Sequence, residues 1–265
     1  MKKLSAFAAL GLVALTALPA AAHFQMVYTP ESALEKGAEI PLRLVFTHPF
    51  EAGHTMEMGK PEQFFVINKG KKTDLLDTLK PITFTSLENS GAAYSTTAKV
   101  RSLGDYVFGF VPAPYYEQSE DVWMQQVTKM VVNVGGLPTD WSEPTDLPVE
   151  IVPLAQPYAL WTGNTFRGTV MADGKPVPGA EIEVEYMNHE VDLDKNAFGE
   201  KEGITNAKDA FVTQVIMADE NGNFSYSFPK AGWWGFAALG VRSYEADGHT
   251  VDQDAVIWVQ VTDAK

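Results

Sequence analysis

Gly179-Ala-Glu-Ile-Glu-Val-Glu-Tyr186 alternates without a break. Ala180, Ile182, Val184 and Tyr186 fall on one side of the chain; Glu181, Glu183 and Glu185 fall on the other. Successive side chains of a strand point to opposite faces. The run therefore reads as a strand with one apolar face in a core and three carboxylates in water. That is the pattern of an antiparallel sheet covered on one side only. Ile40, Leu42, Leu44 and Phe46 repeat the alternation, with Arg43 and Thr47 on the opposite side, and Tyr106, Phe108 and Phe110 do so around Gly109. Asp173-Gly174 and Asn221-Gly222 are hairpin signals, and Lys69-Gly70 is a weaker one. Asp121 to Val134 fits two periods. Trp123, Val127, Met130, Val131 and Val134 have helical spacing, but β-branched Val131-Val132 and the following Gly135-Gly136 favour a strand. No convincing helical period occurs elsewhere, so the expected fold is all-β, built from antiparallel β-sandwiches.

A break is expected near residue 153, because Pro144, Pro148, Pro153 and Pro157 interrupt the strand pattern until Leu160. The expected divisions are 1–22, 23–153 and 154–265. In the last of these, Phe166-Arg-Gly-Thr-Val170, Asp173-Gly-Lys-Pro-Val-Pro-Gly-Ala180 and Asp219-Glu-Asn-Gly-Asn-Phe224 resemble the transthyretin-like or carboxypeptidase-regulatory-like sandwiches. The resemblance implies a small Greek-key module of immunoglobulin-like or transthyretin-like build, of a kind that supports or binds.

The first division is expected to be a signal peptide. Met1-Lys2-Lys3 is a positive start, Leu4 to Leu18 carries no charge, and Pro19-Ala20-Ala21-Ala22 supplies small residues for cleavage. The apolar run is shorter than the roughly 20 residues that span a bilayer. The expected product is a periplasmic protein that does not itself span the membrane. With 34 acidic against 20 basic residues the chain carries a net charge of −14. Nucleic acid is thereby an unsuitable partner, since it needs a basic surface to neutralise phosphates. Cysteine is absent, which excludes disulfides, thiolate nucleophiles and iron–sulfur ligation.

Cleavage after Ala22 would make His23 the N-terminal residue. A free α-amine and the Nδ1 of the same histidine can chelate one metal ion, and the amine loses its proton near neutrality. The segment Thr47-His-Pro-Phe-Glu-Ala-Gly-His-Thr-Met-Glu-Met58 gathers two imidazoles, two carboxylates and two thioethers. His48 and His54 suit nickel, cobalt, copper or zinc; Met56 and Met58 suit cuprous copper; Glu51 suits harder ions. Nitrogens that share one ion lie about 2 Å from it, hence about 3–4 Å from one another. His189 and His249 each sit alone in an acidic run, and neither run has calcium-loop spacing. His189-Glu190 is not followed by the second histidine of a zincin. A nucleophile elbow, a phosphate-binding loop and a dinucleotide fingerprint are all missing, so no enzyme activity is expected.

Further blocks run through the mature chain. They are His23-Phe24, His48-Pro-Phe-Glu51, His54-Thr-Met-Glu-Met-Gly-Lys-Pro-Glu62, Lys71-Lys-Thr-Asp-Leu-Leu76, Pro112-Ala-Pro-Tyr-Tyr116, Leu160-Trp-Thr-Gly163, Ala231-Gly-Trp-Trp-Gly-Phe236 and Asp252-Gln-Asp-Ala-Val-Ile-Trp258. In these blocks and their order the chain resembles the DUF4198 proteins, also described as a periplasmic component of nickel or cobalt uptake systems. The resemblance implies capture of nickel or cobalt and its transfer to an inner-membrane metal transporter. It carries no ligand set, so His23, His48, His54 and His189 are candidates on their chemistry alone. Two rival expectations are a copper-binding protein with a histidine brace at His23 and a metal-free adhesion or scaffold module.

Overall fold

The computed structural model describes residues 23–264. The expected signal peptide lies outside them. In chain order the strands begin with β1 (Phe24–Tyr28), β2 (Ala33–Leu34), β3 (Ala38–Thr47), β4 (Gln63–Asn68), β5 (Lys71–Asp74), β6 (Lys80–Thr85) and β7 (Ser90–Val100). Next come β8 (Gly104–Val111), β9 (Tyr115–Glu117), β10 (Val122–Val134), β11 (Val149–Pro153), β12 (Leu160–Trp161), β13 (Thr165–Ala172) and β14 (Lys175–Pro176). The remainder are β15 (Glu181–Tyr186), β16 (His189–Asp192), β17 (Ala197–Glu202), β18 (Thr213–Met217), β19 (Asn223–Ser227), β20 (Gly232–Ala246) and β21 (His249–Thr262). The all-β expectation holds, and the ambiguous segment before Val134 is strand throughout.

Three sheets form two sandwiches that share their middle layer. The six-stranded sheet runs β1-β3-β7-β6-β17-β16, and the shared sheet runs β18-β15-β20-β21-β10-β8-β4-β5 along its main path. A smaller sheet of β11, β13, β14 and β19 covers the other side. The first core holds Leu42, Leu44 and Phe84 of the six-stranded sheet together with Phe108, Met130, Val256 and Trp258 of the shared one. The second holds Phe166, Val170 and Phe224 with Val127, Val184, Phe236 and Ile257. β10 and β21 thus send alternate residues into different cores. Burial on both faces produces an apolar run with no period of two, which is why the sequence around Val131 was ambiguous.

The halves expected to part near residue 153 are joined by this sheet. β10 pairs with β21 in parallel, from Trp123↔Val251 to Met130↔Trp258, whereas most other pairings are antiparallel. At the joint Lys129 and Glu150 form a fully buried ion pair, and Glu150 also accepts hydrogen bonds from the Thr145 amide and hydroxyl.

Two local expectations change. Glu185 does not face water and Glu183 is half-buried, because the face opposite Ile182 and Val184 is covered toward its Tyr186 end. Glu185 is 1 % exposed, and it accepts hydrogen bonds from the Phe50 amide (2.9 Å) and the Thr213 hydroxyl (2.9 Å). Asn221-Gly222 turns the chain between β18 and β19, which belong to different sheets, so it makes no hairpin. Asp219 fixes that turn by accepting the Asn221 and Asn223 amides. Asp173-Gly174 does close a hairpin, with φ of 47° and 71°. So does Lys69-Gly70, with 52° and 70°. These are the left-handed values that a two-residue hairpin turn requires.

A histidine cluster at the start of β1

The site follows from one register. β1 pairs with β3 so that Phe24 lies opposite Thr47. The residues one step beyond each, His23 and His48, are then neighbours across the strands. Their ring centroids are 4.6 Å apart at 63°. The chain after His48 folds back at once: the Gly53 amide donates to His48 O (3.1 Å) and the Met56 amide to Phe46 O (2.9 Å). Thr55 bridges Thr47, and the Thr47 hydroxyl donates to His54 O at 3.2 Å. This brings His54 to the same end of the sheet, where its ring is exposed. The C-terminal half pins the loop, through Glu185 on the Phe50 amide and through the Asn188 amide on Pro49 O (3.2 Å).

β1 is anchored from the shared sheet. Gln126 accepts the Gln25 amide at 2.7 Å and donates its own amide to His23 O at 2.7 Å. Phe24 packs into the first core beneath His23, and there Gly235 has a packing role. A Cβ on Gly235 would lie 2.8 Å from the Phe24 ring, too close to leave the strand in place.

Glu117, at the end of β9, completes the cluster. Its Oε2 lies 3.1 Å from His23 Nε2, while its Oε1 accepts the Ser119 amide and hydroxyl at 2.8 and 2.6 Å. Burial lowers the pKa of His23, against the pull of Glu117 and Glu120. His48 drops to about 4, through burial first and then repulsion from His23 and His54. Burial pulls Glu117 upward, but the Ser119 hydrogen bonds and His23 outweigh it and hold the carboxyl below its ordinary range. At neutral pH the site therefore has two neutral imidazoles and one carboxylate. With Nε2–H of His23 donating to Glu117, the lone pair of that ring is on Nδ1.

The other candidates lie elsewhere. His189 is buried, with Nδ1 2.8 Å from Gly199 O and its ring against Phe198. His249 stacks on Trp123 at 5.1 Å. Met56 and Met58 belong to the first core, and the Met58 sulfur takes a long contact from the Gln25 amide at 3.9 Å. Glu117 was not singled out in the sequence. It is far from His23 along the chain, and only the β9–β10 pairing Val122↔Glu117 carries it to the site.

Residues 20–242 match the family model described as "Domain of unknown function (DUF4198)". The chain belongs to the DUF4198 family. No curated protein matches it. Among solved structures, this DUF4198 protein is similar to the D0-D1 domain of Intimin at 12 % identity and a TM-score of 0.22, over 90 % of this chain and 100 % of that one. It is also similar to latent PorU from Porphyromonas gingivalis (7 %, TM-score 0.22) and to trypsin-activated alpha-2-macroglobulin from Escherichia coli (9 %, TM-score 0.21). It covers 20 % and 16 % of those two chains, matched over 90 % and 91 % of its own length. No helix among the described residues of this DUF4198 protein is long and apolar enough to cross a membrane.

Among the described residues, no three His, Asp or Glu side chains are arranged to hold a metal ion. Two imidazoles do stand together in the DUF4198 cluster, however, and a third nitrogen need not come from a side chain.

Proposed function

We propose that this protein captures a divalent transition metal, nickel or cobalt, in the periplasm and passes it to an inner-membrane uptake transporter. The metal is cargo, and the protein acts as a carrier with no enzyme activity. In this reading His23 binds through its free amine and Nδ1, His48 supplies the third nitrogen, and exposed His54 stands at the rim where cargo enters and leaves. The observation that carries the reading is the bond between His23 Nε2 and Glu117. A metal-binding histidine commonly donates its second ring nitrogen to a carboxylate, which fixes the tautomer and strengthens the donor. An all-nitrogen set favours nickel, cobalt, copper or zinc over magnesium or calcium.

Cupric copper in the same three-nitrogen brace is the second reading, favoured by the same pair of rings. Cuprous copper is not, because both thioethers of the His54–Met58 segment are core side chains. The test is calorimetric titration of protein beginning at His23 with nickel, cobalt, zinc and cupric ions. Dissociation constants below about 1 μM, roughly 8 kcal/mol, are expected for nickel or cobalt. Weaker binding of all four would overturn the proposal in favour of a metal-free scaffold.

A further inference from the structure

The two ends of the shared sheet differ in chemistry. At one end is β5, Lys71-Lys-Thr-Asp74, with three exposed charges in four residues. At the other end is β18, Thr213-Gln-Val-Ile-Met217, which has no charged residue and no proline. Edge strands are ordinarily blunted by charge, proline or a bulge, because their unpaired backbone groups are a template for another strand. β18 has none of these devices, and its register with β15 runs without a shift from Glu181↔Met217 to Glu185↔Thr213. Its outer face is apolar as well. Val215 is 53 % and Met217 59 % exposed, and Phe211, just before the strand, is 61 % exposed.

One hydrogen bond fixes which backbone groups of β18 are free. The Ala218 amide donates to Ala180 O at 2.9 Å, one step beyond the Glu181↔Met217 pair. In an antiparallel pair, hydrogen-bonded positions alternate with positions whose amides and carbonyls point the other way. Gln214 and Ile216 therefore bond toward β15. Thr213, Val215 and Met217 aim their N–H and C=O groups out of the sheet, and no strand pairs with them among the described residues.

We propose that a second copy of this chain pairs with this edge, β18 against β18, antiparallel about a two-fold axis at Val215. That register sets Val215 opposite the partner's Val215 and Thr213 opposite the partner's Met217. It alone matches every outward residue of one strand with an outward residue of the other, each pair exchanging two N–H···O bonds. Opposed β-branched side chains on the axis add to the pairing. The neutrality of β18 is what lets a chain of net charge −14 meet its own copy, since like charges directly opposite one another destabilise a strand pair. The carboxylates of Glu183 stand one strand back on each side. Three strand spacings then separate them, about 14 Å, beyond the ~8 Å screening length at physiological salt. A five-residue seam falls short of the ~1,200 Å² that stable complexes bury, so the dimer is a weak, concentration-dependent one. The seam shares no residue with the histidine cluster and stands whether or not that cluster binds metal.

Sedimentation of the full-length processed protein, from micromolar to millimolar concentration at physiological salt, should show a reversible monomer–dimer equilibrium. Amide hydrogen exchange identifies the seam. At Thr213, Val215 and Met217 it should slow about tenfold once nine-tenths of the chains are paired, because exchange then proceeds through the free fraction. The amides of β5, at the opposite edge, should keep their rates. Val215→Lys puts two ammonium groups face to face on the axis and should leave only monomer. Val215 is exposed, so the variant should fold, and thermal unfolding checks that it does. Val215→Thr, β-branched and neutral, should keep the dimer, because the main chain makes the bonds. Monomer at every concentration overturns the proposal. So does a dimer that survives Val215→Lys, or one in which the Val215 amide exchanges at the monomer rate.

Discussion

His23 and His48 are cross-strand neighbours, ring centroids 4.6 Å apart, because Phe24 and Thr47 close the β1–β3 ladder. A slip of one residue would turn Phe24 out of the core and part the two rings together. The geometry of the cluster is thus guarded by the same apolar contacts that hold the sandwich. Its chemistry depends on few atoms, and those can be changed one at a time.

Glu117→Ala should remove the acceptor that orients His23 and leave the fold intact, since Glu117 sits at the end of a three-residue strand. Loss of such an outer partner typically weakens metal affinity about 10–100-fold. Nickel titration should show that drop, with Glu117→Gln in between. An unchanged affinity would mean that the tautomer of His23 does not matter.

A residue added before His23 should cost at least about tenfold in affinity, or about 1.4 kcal/mol, because an amide nitrogen lacks the basic lone pair of an amine. Processed protein and a Met-extended form, compared at one pH, provide the measurement. Equal binding would remove the amine from the ligand set.

His48→Ala and His189→Ala should separate cleanly. The first should lower nickel affinity at least about tenfold at nearly constant melting temperature. The second should leave affinity within about twofold and destabilise by about 1–3 kcal/mol, since it empties the buried space beside Phe198 and removes the partner of Gly199 O. The reverse pattern would move the site toward β16.

Glu185→Gln should change the pH dependence of stability. Burial raises Glu185 to about 8 in the folded protein, against 4.5 for the free side chain. Between those values the folded state holds a proton that the unfolded state has released, so stability falls as pH rises and levels off above about 8. The amide cannot ionise. The variant should match the parent near pH 4.5 and exceed it at pH 8 by an amount on the order of a few kcal/mol. Denaturant unfolding across that range is the check. Glu183 and Asp254, raised to about 7 and about 6, mainly by burial, should keep a residual slope of the same sign.

Lys129→Met alone should destabilise by about 3–5 kcal/mol, because it strands the buried Glu150 carboxylate. Lys129→Met with Glu150→Leu should recover most of the loss. A double variant no better than the single one would show that the Thr145 hydrogen bonds, and not the charge, need Glu150.

Much of the fold was legible from alternation, because strands covered on one face print a period of two. Ile40 to Leu44 is an example. The shared layer was not legible, since β10 and β21 are buried on both faces and stretches such as Met130-Val-Val132 and Ala255-Val-Ile-Trp-Val259 show no alternation. The same cause hid the fate of Glu185, whose neighbours promised solvent. Turn chemistry was a partial guide: Lys69-Gly70, the weaker signal, makes a hairpin, while Asn221-Gly222 joins two sheets. Of the candidate site, His23, His48 and His54 were visible as scarce residue types near an expected cleavage point and a strand end. Glu117 and Gln126 were not, because their roles arise from pairings between segments far apart in the chain.

The parallel pairing of β10 with β21 has a consequence for how the molecule comes into being. Trp258 and Val256 enter the first core, and their strand supplies the neighbour that β10 needs on one side. A chain made amino-terminus first therefore cannot finish its leading sandwich until its trailing strand has followed. Contacts of such long sequence separation form slowly. During that interval β10 presents a long unpaired edge, with Val127 and Met130 to Val132 uncovered, to its surroundings. The emerging chain is then a natural client for holding chaperones, and removal of β21 should yield aggregation in place of a smaller folded protein.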